Sequence, residues 1–142
     1  MAALGLQAAV FVTLRRADLT LRGCMGSVTP MTQDVTDETR RAAILAASKD
    51  PRFPALHAHE LSELVIEVSV LGAAEPILSA GELDPGRYGI IVRGTQGRRG
   101  VLLPSVSGID SVPQQIRVAM ERAGLAEDEP CEVRRFAVEK FG

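Results

Sequence analysis

The chain has 142 residues, 46% of them hydrophobic and 24% charged, with a formal net charge of −2. That length can bury roughly two-thirds of the unfolded surface in one domain, and the composition excludes a disordered chain. The near-neutral charge gives no electrostatic footprint for nucleic acid, and no Trp, one Tyr and four Phe leave few platforms for stacking bases.

In chain order, the first predicted element is a β-hairpin. Val10 to Arg15 pairs with Thr20 to Met25 across a four-residue loop in which Asp18 is the turn residue. The register that keeps faces unmixed puts Val10, Val12 and Leu14 with Leu21, Gly23 and Met25 on a core face. Phe11, Thr13 and Arg15 then share the other face with Thr20, Arg22 and Cys24, and Phe11 lies opposite Cys24. The apolar stretch from Ala2 to Leu14 has no basic leader and is too short to span a bilayer.

A helix follows from about Asp34 to Ser48. Asp34 or Thr36 caps it, Asp37 and Glu38 suit its positive first turn, and Val35, Ala42, Ala43 and Ala46 line its inner face. Asp50-Pro51 stops it. A helical turn is predicted around His59 to Leu64. Leu64 to Leu71 is a strand with Ile66, Val68 and Val70 on one face and Glu67 and Ser69 on the other.

Gly72 to Gly86 is loop-rich, with a short extension at Ile77 and Leu78. A second hairpin joins Gly89–Arg93 to Arg98–Leu103 through Gly94-Thr95-Gln96-Gly97. Ser111 to Arg122 is a helix with a Ser111/Gln114 capping box, Ile116, Ala119, Met120 and Ala123 facing inward, and Gly124 as its C-terminal cap. Glu132 to Phe141 is the last strand. The expected fold is α+β, a mainly antiparallel sheet covered by helices, in a single domain spanning residues 1–142.

The stretch that carries chemistry is Leu21-Arg22-Gly23-Cys24-Met25-Gly26. On a strand Arg22 and Cys24 share a face. A neighbouring cation favours the thiolate, and Gly23 and Gly26 open the backbone to close approach by a ligand or another element. Cys24 reads either as a reactive or ligand-contacting thiol or as a small buried hydrophobe. Arg52, in Asp50-Pro51-Arg52-Phe53, either binds an anion or pairs with Asp50 or a nearby carbonyl. Glu67 and Ser69 either face solvent or extend the Arg22–Cys24 site, where Glu67 would orient Arg22 or accept a proton. Cys131 has no such surroundings and reads as a packing residue.

Other patterns are weaker. His57 and His59, with Glu60 and Glu63, would align as metal ligands only on a strand, and no third cluster completes a site, so no metal or cofactor is expected. The glycines from Gly94 to Gly100 join two strands, as a hairpin tip does and a phosphate loop does not. Arg93, Arg98 and Arg99 give that tip local positive charge, which reads either as a solvated rim or as an RNA contact, the rim being favoured. Two widely separated cysteines form no disulfide framework and fit a reducing cytoplasm.

Five segments in order resemble one family: Phe11-Val12-Thr13-Leu14, Leu21–Gly26, Asp50–Leu56, Leu64–Leu71 and Arg99-Gly100-Val101-Leu102-Leu103-Pro104. That family is the AMMECR domain, and the resemblance runs from about Val10 to the C-terminus. It implies an intracellular α+β domain without an established activity, some of whose prokaryotic members accompany, or are fused to, Memo-like and radical-SAM proteins. The pattern departs from the family in its short segment before the first strand, where fuller members have a helix. It also departs in a short Ser105–Ser111 stretch and in lacking a tryptophan after the last helix. The thin cover over the first hairpin leaves homo-oligomerisation open.

Two functional classes follow. One is a binding or accessory module with a small polar groove around Arg22 and Cys24, taking a small anionic ligand or a partner's peptide. The other is a cysteine-dependent enzyme with Cys24 as nucleophile and Glu67 or a histidine as base.

Overall fold

The structure, a computed structural model, describes residues 7–106 and 108–142. The chain divides into two units, one of Met1–Leu71 with Glu139–Gly142, the other of Gly72–Val138. Both are α+β, antiparallel strands with one long helix each.

In the first unit, β1 (Ala9–Arg15) pairs antiparallel with β2 (Leu21–Gly26). Between β2 and the next strand run α1 (Val35–Ser48) and a 3-10 turn (Ala58–Glu63). β3 (Val65–Leu71) then pairs antiparallel with the other edge of β1. The alternation of the sequence explains the packing. Val10, Val12 and Leu14 are buried with Val35, Ala42 and Ala46 of α1, and Met25, Val68 and Val70 pack against them. Asp34 caps α1 by accepting from the Asp37 amide. Glu38 also turns inward, where one carboxylate oxygen accepts from Met31 N, Thr32 N and the Thr32 hydroxyl and ties the preceding loop to the helix.

The first hairpin keeps its expected faces at Gly23, Cys24 and Met25, but Leu21 changes face and the register differs. Thr13, not Phe11, lies opposite Cys24, and Phe11 lies opposite Gly26. Two single-residue shifts add up to this slip of two. The loop is one residue longer, since Arg15 pairs with Leu21, and Leu14 pairs with Gly23, so Arg22 is the extra residue of a β-bulge. The bulge takes Leu21 out of the core set, and both Leu21 and Met25 are only half-buried.

Within the loop Leu19 has φ 71°, a left-handed conformation that costs a side-chain-bearing residue roughly 1–2 kcal/mol. The side chain is exposed. Leu19→Gly is therefore expected to raise stability by roughly 0.5–1 kcal/mol, the gain being reduced by glycine's greater unfolded-state entropy. Urea denaturation checks it; a lowered midpoint would contradict the strain argument.

In the second unit, β5 (Tyr88–Arg93) pairs with β6 (Arg99–Leu102) and with β7 (Glu132–Phe141), and α2 (Val112–Ala123) packs on this sheet. The expected extension at Ile77–Leu78 falls two residues earlier. β4 (Glu75–Pro76) pairs with Arg135 and Arg134 of β7, a position where proline's missing N–H is tolerated at a sheet edge. Ile90, Val92, Leu102, Ala119, Met120 and Ala123 form the core. Ser111 caps α2 and Gly124, at φ 74°, closes it. Among the described residues no helix is long and apolar enough to cross a membrane.

Candidate functional site

Cys24 sits on the edge strand β2 directly opposite Thr13, and its Sγ lies 3.4 Å from the Thr13 hydroxyl. Thr13 in turn lies opposite Glu67 on β3, so Cys24, Thr13 and Glu67 form one row across three strands. The neighbouring row is Gly26, Phe11 and Ser69, with Ser69 buried.

Asp50 and Arg52 cap the outer edge of this strand. The Cys24 amide donates to Asp50 Oδ2 at 3.0 Å, and Arg52 Nη2 donates to the Cys24 carbonyl at 3.4 Å. Side chains thus satisfy the groups that another strand would otherwise pair. The Asp50 carboxylate is 2% exposed and also accepts from the Arg52 amide and guanidinium. Hydrogen bonds from Arg52 first, helped by the Arg52 and Cys24 amides and opposed by burial, hold Asp50 well below the usual carboxylate range.

Arg22 points from the bulge into a second pair. Its Nε and Nη2 donate to Glu60 Oε1 and Oε2 at 2.9 and 3.2 Å, a bidentate contact. Glu60 Oε2 also accepts from the His57 amide, and the Arg22 bonds chiefly hold Glu60 down to about 2. The Arg22 side chain is 4% exposed. Its Nη1 has no hydrogen-bond partner among the described residues. The Phe53 ring lies against both guanidinium groups, 5.9 Å from Arg22 and 5.5 Å from Arg52.

The structure brings Arg22, Cys24 and Arg52 together around Asp50, Phe53 and Glu60. Glu67 is in the row of Cys24, but the carboxylate that orients Arg22 is Glu60, because β1 separates β2 from β3. Glu67 has Lys140 Nζ within ion-pair distance, at 3.8 Å. The side-chain space at the two glycines belongs to protein. A Cβ on Gly23 would stand 2.4 Å from the Ala46 carbonyl oxygen of α1, and one on Gly26 would stand 2.2 Å from the Val10 oxygen.

Thr13 and Glu60 are the participants that sequence reasoning passed over, along with the hold of Asp50 on the Cys24 amide. Of the two readings of Arg52, the structure shows the pairing with Asp50 and a nearby carbonyl, that of Cys24. Glu60, 38 positions from Arg22, leaves no local signal. His57 and His59 stack their rings at 5.7 Å, and among the described residues no group of three or more His, Cys, Asp or Glu side chains is arranged to hold a metal ion. Arg98 is held by Thr95, the Gly124 carbonyl and Glu129, and Cys131 packs against the core of the second unit.

The AMMECR1 family model matches residues 2–141. The chain belongs to the AMMECR1 family. A relative in Thermotoga maritima is 44% identical over 137 residues, covering 95% of this chain and 78% of that protein. A Clostridium acetobutylicum protein is 38% identical over 94% of this chain, which spans only 28% of its length. The crystal structure of an uncharacterised Pyrococcus horikoshii protein superposes with a TM-score of 0.87 at 34% identity, covering 99% of this chain and 75% of that one. Within this AMMECR1-family chain the Leu21–Gly26 motif has two structural duties. Its glycines let α1 and β1 approach β2, and its bulge aims Arg22 at Glu60.

Proposed function

We propose that this AMMECR1-family chain is a binding or accessory module whose ligand engages the Arg22–Cys24 side of the first hairpin. The carrying observation is Arg22 itself: a buried guanidinium fixed along one edge by Glu60 while Nη1 keeps unused hydrogen-bonding capacity. Buried polar groups are nearly always paired, so an orphaned donor at a bulge points to a ligand that supplies the acceptor. Cys24, Thr13, Ser69, Arg52 and Glu67 are the further contacts in this reading. Gly23 and Gly26 serve it by letting the strand sit close to its neighbours.

The alternative, a thiol enzyme with Cys24 as nucleophile, draws on the same residues but has less support. The Cys24 thiol meets a hydroxyl rather than a base, and the charges of Arg22 and Arg52 go to Glu60 and Asp50. The free thiols of Cys24 and Cys131 fit the proposed cytoplasmic location. The family match running through both units supports treating residues 1–142 as one AMMECR-like domain. Small-molecule or protein partners, homo-oligomerisation, and association with Memo-like or radical-SAM proteins remain within the proposal.

Thermal scanning against a panel of small carboxylates, phosphates, amides and short peptides tests the binding reading. At least one class is expected to raise Tm in the wild type, without turnover, and to lose that effect in Arg22→Lys. A Tm unmoved by every class would contradict it. Cys24→Ser is expected to change stability by less than about 1 kcal/mol, since serine keeps the contact with Thr13 and little volume is lost. A larger loss would show that the thiol packs as a hydrophobe.

A further inference from the structure

The charges around Arg22 narrow the ligand's chemistry. Arg22 gives two donors to one carboxylate, Glu60. Arg52, the other guanidinium against Phe53, gives its charge to Asp50. Glu67 has Lys140 at 3.8 Å. Arg15, half-buried on β1, donates to the Leu19 carbonyl at the hairpin turn and has no carboxylate within ion-pair distance among the described residues. What is unused at the centre of the site is therefore the hydrogen-bonding capacity of Arg22 Nη1 rather than its charge.

A second anion on Nη1 would share a cation already neutralised by Glu60 and would be buried beside the Phe53 ring. Desolvation of that charge would find little return. A neutral acceptor meets a much smaller cost, which the hydrogen bond to Nη1 offsets. The carbonyl oxygen of an amide has two lone pairs and a strong dipole, so it can take an N–H from Nη1 without importing charge.

We propose that the group received by Arg22 Nη1 is an uncharged amide carbonyl, supplied either by a small amide or by the main chain of a peptide. This rests on the binding reading and names its ligand class. The buried Nη1 positions the carbonyl, and Glu60 tunes Arg22 by absorbing its charge, which disfavours phosphates and carboxylates at this atom.

The test uses the whole chain, isotopically labelled, with the Arg22 Nε and Cys24 amide signals followed by NMR. The probes are N-methylacetamide, acetyl-triglycine amide, acetate and inorganic phosphate. Saturable shifts of the Arg22 Nε signal are expected from the two amides, with half-saturation about tenfold lower than for acetate or phosphate. Tighter binding of the peptide would identify the polypeptide source and equal binding the small-amide source; either outcome supports the proposal. Tighter binding of acetate or phosphate at Arg22 would overturn it and leave the binding reading intact. Saturation by no probe would overturn both. Arg22→Lys is expected to weaken amide binding by about tenfold, and undiminished binding in that variant would also contradict the proposal.

Discussion

Asp50→Ala is expected to lower stability by about 2–4 kcal/mol, combining lost hydrogen bonds to a charged acceptor with an amide left without its partner. The carboxylate is 2% exposed and is the acceptor for the Cys24 amide at the edge of β2. Alanine removes that acceptor and releases Arg52, which is 55% exposed and can return to water. The cost therefore lies mainly in the strand edge rather than in a stranded cation. Urea denaturation gives the value directly, and a loss below the range would mean that water satisfies Cys24.

The same residue sets a pH dependence. Its carboxyl is held well below the ordinary range by Arg52 and two backbone amides, so the folded state binds its proton more weakly than the unfolded chain does. The stability it contributes is complete above the unfolded value, about pH 4, and drains away as pH falls towards the folded value. Glu60, held down to about 2, acts in the same direction. Wild-type stability is expected to fall between pH 5 and about 2, and to fall less steeply in Asp50→Asn. Equal slopes would remove Asp50 from the account.

Gly23→Ala is the second large effect, expected to cost about 1–3 kcal/mol through overpacking. The new Cβ would stand 2.4 Å from the Ala46 carbonyl oxygen. That oxygen belongs to the backbone of α1 and cannot swing aside as a side chain would, so the helix must move off the sheet. The contacts of Ala42 and Ala46 with Val10, Val12 and Leu14 then loosen together. An unchanged urea midpoint would show that α1 can retreat without loss.

Those particulars also show what was legible in the sequence. The period-two alternation of Val10, Val12 and Leu14 identified the core face of β1. The caps Asp34, Ser111 and Gly124 placed both helices to within a residue or two. The shared face that the motif assigned to Arg22 and Cys24 rests on strict alternation within one strand, which the bulge at Arg22 interrupts. The register could not be read from the motif, because a bulge at Arg22 is decided by what the side chain reaches across the chain. Long-range pairings such as Arg22–Glu60 and Cys24–Asp50 depend on where the segment after α1 returns, and periodicity carries no such information. The glycines were read as allowing close approach by a ligand or another element, and it is elements of the protein that approach both.

Competitive alkylation by iodoacetamide near neutral pH, with Cys24 and Cys131 read in the same sample by peptide mass spectrometry, tests the central claim most directly. Both thiols are half-buried, so access alone favours neither. A binding module in which Cys24 meets Thr13 predicts comparable rates for the two, within about a factor of ten. Cys24 reacting a hundredfold or more faster than Cys131 would mark an activated nucleophile and contradict the account.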